Sequence, residues 1–327
     1  MLIYLIPPLP FVAEGDFFLL KRFQAWSLDR SFVGGWTRCM KLLVSLFFLL
    51  GLLSAEEVEE SYVLAKEGWE PPVGLKVRIS TVREMPTGKT KWTEDGSWTT
   101  GKVGRLEKNI LEVIRETEDS YLFDYKEVAD HHRSFYNGEK TNSKINGVFH
   151  EQEVKVEKEG GDWVARLVDE DSFVGDQDRL DKRLTYLSDN ILYDYAPSLL
   201  GTEIRKVGDT WDVDKPKIPT MGNGDVMEGK ATLTFDRLEE HQGHQCAVLS
   251  LTFKVKIDHT KNAGGLVEYA GKGTIIRSLE GLFDLEYEIK GMMKSTYRYD
   301  EGGTLETEGR SKISSKLTIL PTKEEKE

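Results

Sequence analysis

The chain has 327 residues, of which 31% are charged, and it carries a formal net charge of −12 at pH 7. This acidic balance argues against nucleic acid as a partner, because phosphate groups require a basic protein face. It argues in the same way against docking on anionic lipid. The length suffices for one large β domain or two smaller ones, each with a buried core.

Residues 1–39 are largely apolar but follow no regular period. Pro7, Pro8 and Pro10 would interrupt a helix in this stretch. We interpret residues 1–39 as a start placed too early, with Met40 as the true initiator, or as an unusual leader. Both interpretations place this segment outside the mature protein.

Residues 40–55 have the pattern of a secretory signal peptide. Met40-Lys41 is a basic start, Leu42–Leu53 is an apolar run, and Ser54-Ala55 supplies small residues before an acidic stretch. The apolar run is shorter than the about 20 residues that a membrane-spanning helix needs. We therefore predict export to the periplasm or the extracellular space, cleavage near Ala55, and no membrane span in the mature chain.

Residues 56–175 are predicted to form an N-terminal β half. Apolar and polar residues alternate in "LKVRIST" (Leu75–Thr81), and "VKVEKEGGDWVARLV" (Val154–Val168) predicts a hairpin that turns at Gly160-Gly161-Asp162. A period of two with one polar face is typical of antiparallel strands with one side on a core.

The acid-rich stretch "DEDSFVGDQD" (Asp169–Asp178) could hold calcium, which prefers carboxylate oxygens. Its spacing does not match the loop of an EF-hand. Asp176 or Asp178 instead suits the N-cap of the helix that follows, where a carboxylate accepts backbone N–H groups and favours the helix dipole.

Residues 176–200 are predicted to form a linking amphipathic helix. Leu180, Leu184, Leu187 and Ile191 recur at i, i+4, i+7 and i+11, which places them on one stripe. Pro197 lies shortly beyond the expected end of this helix. We expect the stripe to face the apolar side of the strands that carry Phe253 and Phe283. The candidate ligand-lining residues are therefore Leu180, Leu184, Leu187, Ile191, Phe253 and Phe283.

The segment "VGDTW" (Val207–Trp211) follows the helix. Gly208-Asp209 suits a tight turn, after which Trp211 would point into the core at the start of a strand. This arrangement resembles a family of uncharacterised secreted bacterial proteins, a domain of unknown function, over roughly residues 62–319. Many members carry a lipid-anchor cysteine, which this chain lacks. The resemblance implies a β-rich exported protein and no known activity.

Three potential metal ligands lie close together in "HQGHQC": His241, His244 and Cys246. Imidazole and thiolate groups bind zinc or copper. Gly243 stands where a hairpin turn belongs, however, and Cys246 precedes an apolar run. We therefore expect a solvated turn followed by a core cysteine, and no metal or other cofactor.

Residues 201–320 are predicted to form a C-terminal β half, and 321–327 a disordered, charged tail. Alternation is clear in "LSLTFKVKID" (Leu249–Asp258) and "FDLEYEIK" (Phe283–Lys290), with a turn at Leu279–Gly281. The pattern of an apolar arm, an acidic turn and a long alternating arm in the N-terminal half recurs in the C-terminal half. This similarity suggests two related β halves.

The sequence predicts a mainly β (α+β) fold in which curved antiparallel sheets pack around one amphipathic helix. No nucleophile elbow, Walker loop or C-x-x-C motif is present in the sequence. These features favour an exported, non-catalytic envelope protein that binds an apolar ligand or a protein partner, or has a structural or assembly role. The alternatives are a hydrolase with a dispersed site and a secreted module that binds calcium or another metal.

Overall fold

The computed structural model describes residues 60–94, 97–136, 139–189, 195–217, 225–259, 265–298 and 303–321. The predicted leader, the signal peptide and nearly all of the predicted tail lie outside the described residues. The same is true of Ile191.

Strands dominate the described residues, and several are much longer than the usual five or six residues. The strands are β1 Ser61–Val63, β2 Lys76–Glu94, β3 Ser97–Thr117, β4 Ser120–Tyr136, β5 Glu139–Asn146, β6 Gln152–Glu159, β7 Asp162–Leu167, β8 Ile204–Lys206, β9 Thr210–Asp214, β10 Asp225–His241, β11 His244–His259, β12 Gly265–Ser278, β13 Asp284–Arg298 and β14 Thr304–Leu320. The helices are a 3-10 turn at Glu170–Ser172, α1 at Gln177–Asp189 and α2 at Ala196–Leu200.

Twelve strands form one antiparallel sheet in the order β7-β6-β4-β3-β2-β14-β13-β12-β11-β10-β9, and β5 also pairs with β4. Strands β1 and β8 form a separate two-stranded sheet. The first long strand, β2, pairs with the last, β14, so the two predicted β halves join side by side. The predicted mainly β, antiparallel fold class is confirmed, and the described residues from Ser61 onward belong to one compact unit.

The alternating pattern produces one buried face, as predicted. In β11, Leu249, Leu251, Phe253, Val255 and Ile257 all point into a C-terminal core. Helix α2 and the segment at Leu64-Ala65 cover this core. A separate N-terminal core is built from apolar residues of β3, β4, β6 and β7 and is covered by α1.

Helix α1 begins where the sequence predicts, because the Arg179 N–H donates a hydrogen bond to Asp176 Oδ1 at 3.2 Å. Its described residues run to Asp189, and α2 is described at Ala196–Leu200 with Pro197 in its first turn. The helix predicted over residues 176–200 stays a prediction, because residues 190–194 lie outside the described residues. Proline supports the first turn of a helix but removes a donor from its interior.

The stripe of α1 packs on the N-terminal core. Leu180 is 3% exposed, and Leu184 and Leu187 are partly buried beside it. Phe253 belongs to the C-terminal core, so the expectation that the stripe faces Phe253 is wrong. The reason is chain connectivity. The helix follows β7 closely and packs back on the strands that it has just left, and the Ala165 N–H of β7 donates to Ser188 Oγ at 2.8 Å.

The predicted turns are confirmed. Gly160-Gly161 and Gln242-Gly243 each connect two strands through residues with positive φ, as two-residue hairpin loops require. Gly208, with φ +93°, turns the chain between β8 and β9, and the Lys206 N–H donates to Asp209 Oδ2 at 2.9 Å. Trp211 is then buried in the C-terminal core, as the sequence indicates.

Among the described residues, no helix combines the length and the apolarity needed to cross a membrane.

Candidate functional site

One row of register partners crosses the inner side of the sheet, and its side chains change from apolar to charged about halfway across. On the C-terminal half the row is apolar, and on β2, β3 and β4 it is charged. In order from β9 to β5 it contains Trp211, Leu233, Leu251, Gly273, Ile289, Ile313, Arg83, Glu107, Asp130 and Ile145. The buried charges therefore collect where the two β halves meet and just beyond that line.

Three charged residues of this row, Arg83, Glu107 and Asp130, and two inward-facing residues of the next row, Arg105 and His132, form what we call the ionic cluster. Arg105 donates to Asp130 from Nε (3.2 Å to Oδ1) and from Nη2 (2.7 Å to Oδ2). The same Nη2 lies 2.7 Å from Glu107 Oε1, and Arg83 Nη1 lies 3.6 Å from Glu107 Oε2. His132 Nε2 lies 2.9 Å from Asp130 Oδ2. Two guanidinium groups thus balance two carboxylates.

Strand register creates this cluster. Glu107 faces Arg83 on one neighbouring strand and Asp130 on the other, and Arg105 faces His132. A shift of one residue would turn each of these side chains to the opposite side of the sheet. The sequence analysis missed the cluster. Its signal was a charged residue at inward positions of otherwise alternating strands.

Both carboxylates are buried, but their pKa values shift in opposite directions. Glu107 is 1% exposed, and burial raises its pKa even though Arg83 and Arg105 favour the charged form. Asp130 is 2% exposed, and burial also opposes its ionisation. Hydrogen bonds from His132 and Arg105 outweigh that cost and lower the pKa of Asp130. The cluster is therefore balanced in charge, although neither carboxylate oxygen of Glu107 accepts a hydrogen bond of good geometry.

A second buried ion pair closes the β12–β13 turn. Arg277 Nη1 donates to Asp284 Oδ1 at 2.7 Å, and both side chains are buried. Arg277 Nε donates to the Leu64 carbonyl at 2.5 Å, and Nη2 donates to the Leu282 carbonyl. This arginine ties the segment before β2 to the C-terminal half.

A small cleft of about 270 Å³ lies beside α2. Its lining residues are Glu67, Gly68, Trp69, Glu70, Pro197, Ser198 and Lys217. The Trp69 ring lies 6.2 Å from the ring of Phe283, which in turn lies 6.4 Å from His244. Phe283 therefore sits near this cleft, and the structure does not bring it together with the stripe of α1.

The three potential metal ligands lie at the β10–β11 hairpin. His241 and His244 are register partners that flank the turn. Cys246 is fully buried, its Sγ donates to the His244 carbonyl at 3.4 Å, and burial raises the pKa of the thiol. In the part of the chain that the structure describes, no group of three or more His, Cys, Asp or Glu side chains is placed to hold a metal ion.

Comparisons with known proteins give only distant likenesses. No family model and no curated protein matches the chain. Among solved structures, lipovitellin gives a TM-score of 0.38 at 11% identity over 77% of this chain, which spans about a quarter (26%) of that chain. An outer membrane channel from Pseudomonas putida gives a TM-score of 0.23 at 10% identity, and the match covers 78% of this chain and 100% of that one.

A DUF1329 family protein from Desulfovibrio piger gives a TM-score of 0.13 at 10% identity, over 73% of this chain and 83% of that one. A family known only as a domain of unknown function is thus represented among the structural neighbours of this chain. The segment Val207–Trp211 is not confirmed as a family feature. At these TM-scores, none of the likenesses carries an argument about what the chain does.

Proposed function

We propose that this chain is an exported, non-catalytic protein of the cell envelope that acts through its surface as a binding or assembly module. The observation that carries this proposal is the filling of the inner side of the sheet. Large apolar side chains such as Leu249, Ile275 and Tyr125 are fully buried there, and the charges among them are paired with one another. A filled interior supports a rigid scaffold whose contacts with other molecules are made from outside.

The ionic cluster favours this role over hydrolysis. His132 does lie beside Asp130, which is a pairing that general acid–base chemistry uses. Each carboxylate is nevertheless buried and held by an arginine, so a substrate has no direct approach to it. A buried, balanced network of this kind favours one strand register over others.

A second candidate is the binding of an apolar ligand along α1. Leu184 and Leu187 are only partly buried at the margin of the N-terminal core. A small movement of α1 would open a pocket there, lined by these two residues and Leu180. In this case Leu180, Leu184 and Leu187 would contact the ligand as the sequence analysis expected. Phe253 would belong to a different core.

Two measurements on one variant separate these candidates. If Leu180 fills a solid core, Leu180→Ala should lower the free energy of unfolding by about 2–5 kcal/mol, because burial is lost and a cavity remains. Urea denaturation measures this change. The matched control is Val174→Ala next to α1, where the side chain is 96% exposed and the change should stay within about 0.5 kcal/mol.

Mass spectrometry of an organic extract from the natively purified protein supplies the second measurement. The surface role predicts no stoichiometric lipid that stays bound through a high-salt wash, because such a wash screens any lipid held only by surface charge. A lipid that co-purifies through this wash together with a small loss of stability in Leu180→Ala would contradict the surface role and establish the carrier.

A further inference from the structure

On the outer side of strands β11 to β14, cations outnumber carboxylates, although the chain as a whole is acidic. Outward-facing positions of β11 to β14 alternate with the buried residues of the C-terminal core. We call the cationic residues among them the basic face. Its members are Lys254, Lys256, Lys272, Lys290, Lys294, Arg298, Arg310, Lys312 and Lys316. Six of them lie close to Met292 and carry the argument below: Lys254, Lys272, Lys290, Lys294, Arg310 and Lys312.

Three lysines of the basic face stand directly beside one another. Lys290 of β13 is the register partner of Lys272 on β12 and of Lys312 on β14. Like charges at facing positions of antiparallel strands are destabilising, whereas threonine or glutamate there would avoid the repulsion. The three lysines therefore destabilise the fold by charge repulsion, and the packing of the sheet does not require lysine at these positions.

Internal compensation of this row is incomplete. Glu288 accepts hydrogen bonds from both Lys290 and Lys312, and the latter contact measures 2.5 Å. Burial opposes the ionisation of Glu288, but these two hydrogen bonds outweigh it and lower the pKa of the carboxyl group. One carboxylate thus forms ion pairs with two ammonium groups and neutralises only one of the two charges.

The other four of these six cations are exposed. Lys254, Lys272, Lys294 and Arg310 form no ion pair within 4.0 Å with any part of the chain that the structure describes. Glu268 and Glu308 flank Lys294 in the register, yet cations still outnumber carboxylates on these four strands. Strands lie roughly 4.8 Å apart, so the basic face extends about 15 Å across the sheet.

An exposed methionine lies in the middle of these cations. Met292 is 45% exposed, with Ala270 and Arg310 as its register partners and Lys290 and Lys294 on its own strand. An apolar side chain surrounded by cations fits the boundary of a bilayer, where the apolar group enters the interface and the ammonium groups meet phosphates.

We infer that the basic face docks on an anionic lipid surface. This inference rests on the proposed surface function, for which it names the partner. The net charge of −12 argues against such docking only when the charges are averaged over the chain. At physiological ionic strength the charges beyond about 8 Å are largely screened, so the local face decides the attraction.

Sedimentation with lipid vesicles tests the inference on the full chain. Vesicles of phosphatidylcholine alone measure any binding through the apolar run in 42–53. Vesicles that also contain phosphatidylglycerol measure the additional binding that depends on anionic lipid. Each lysine near an anionic surface contributes about a fivefold change in partitioning. The triple variant Lys254→Glu, Lys272→Glu and Lys294→Glu should therefore bind the anionic vesicles at least about a hundredfold more weakly.

The matched control changes the net charge equally but at another place. Lys66, Lys140 and Lys144 are exposed away from strands β11 to β14 and form no ion pair among the described residues. Their replacement by Glu should leave the anionic partitioning nearly unchanged. Equal losses in the two triple variants, or no preference of the natural chain for anionic vesicles, would overturn the inference.

Two further measurements distinguish weaker binding from misfolding of the variant. The triple variant should unfold at the same temperature as the natural chain or higher, because Lys272→Glu removes the repulsion from Lys290. Binding of the natural chain to anionic vesicles should also fall steeply with added salt. A salt-independent binding would count against the inference. The Leu180→Ala experiment does not involve this face, so the two proposals can fail separately.

Discussion

Replacing Asp130 by Asn removes one charge from the ionic cluster and almost no volume. Asp130 accepts the two hydrogen bonds of Arg105 at 3.2 and 2.7 Å and lies 2.9 Å from His132. In the Asp130→Asn variant, the guanidinium of Arg105 keeps its contact with Glu107 but loses its bidentate partner. The variant therefore tests whether the cluster stabilises the junction of the two β halves.

The expected loss of stability follows from burial. Removing one partner of a buried ion pair typically costs about 3–5 kcal/mol, because the other charge stays uncompensated in the interior. The Arg105 side chain is 28% exposed, so water offsets part of this cost. We expect Asp130→Asn to lower the free energy of unfolding at pH 7 by about 3 kcal/mol, the lower end of that range.

The loss should depend on pH in one direction. The pKa of Asp130 is lowered in the folded protein, so its ionised form contributes stability above its unfolded pKa of about 3.9. That contribution disappears as the pH falls through the lowered, folded pKa. The variant lacks this contribution, and its deficit should therefore shrink in acid. Glu107, whose pKa is raised, favours the folded state at low pH. The charge of Asp130 is one cause of that rise, so this smaller contribution is also weakened in the variant.

Urea denaturation of the natural chain, Asp130→Asn, Arg105→Met and the double variant measures the coupling between the two residues. Asp178→Asn is the matched control, because the ion pair of Asp178 with Lys182 is exposed and should contribute at most about 1 kcal/mol. A deficit below about 1 kcal/mol for Asp130→Asn, or one that stays constant as the pH falls, would refute the reasoning.

Two further outcomes are expected. Gly291→Ala should cost at least about 3 kcal/mol, because its Cβ would lie 2.2 Å from the Ala270 carbonyl oxygen. Gly243→Ala, where nothing lies within 4 Å but φ is +79°, should cost only about 1–2 kcal/mol; thermal unfolding that ranks the two in reverse order would contradict this. Protein recovered outside the cytoplasm should begin at Glu56 on N-terminal sequencing, and a mature chain that retains Cys39 would show the predicted cleavage to be wrong.

The sequence by itself determined the local features of this protein. Alternation in Leu249–Asp258 predicted a strand and its buried side, and the glycines at 160–161 and 243 predicted tight hairpins. Asp176 marked the start of α1. These features depend on side chains and backbone angles within a few residues of one another, so they can be deduced from a short stretch of chain.

Tertiary structure alone decided which elements meet. The stripe of α1 was visible in the sequence, but the N-terminal core that it covers was not, and Ile191 lies outside the described residues. Arg83, Glu107 and Asp130 come from three strands, and Lys272, Lys290 and Lys312 come from three others. Their contacts depend on the order and register of strands that are far apart in the chain. The period-two pattern of a strand shows which side is buried, but it does not specify which strand lies beside it or at which register.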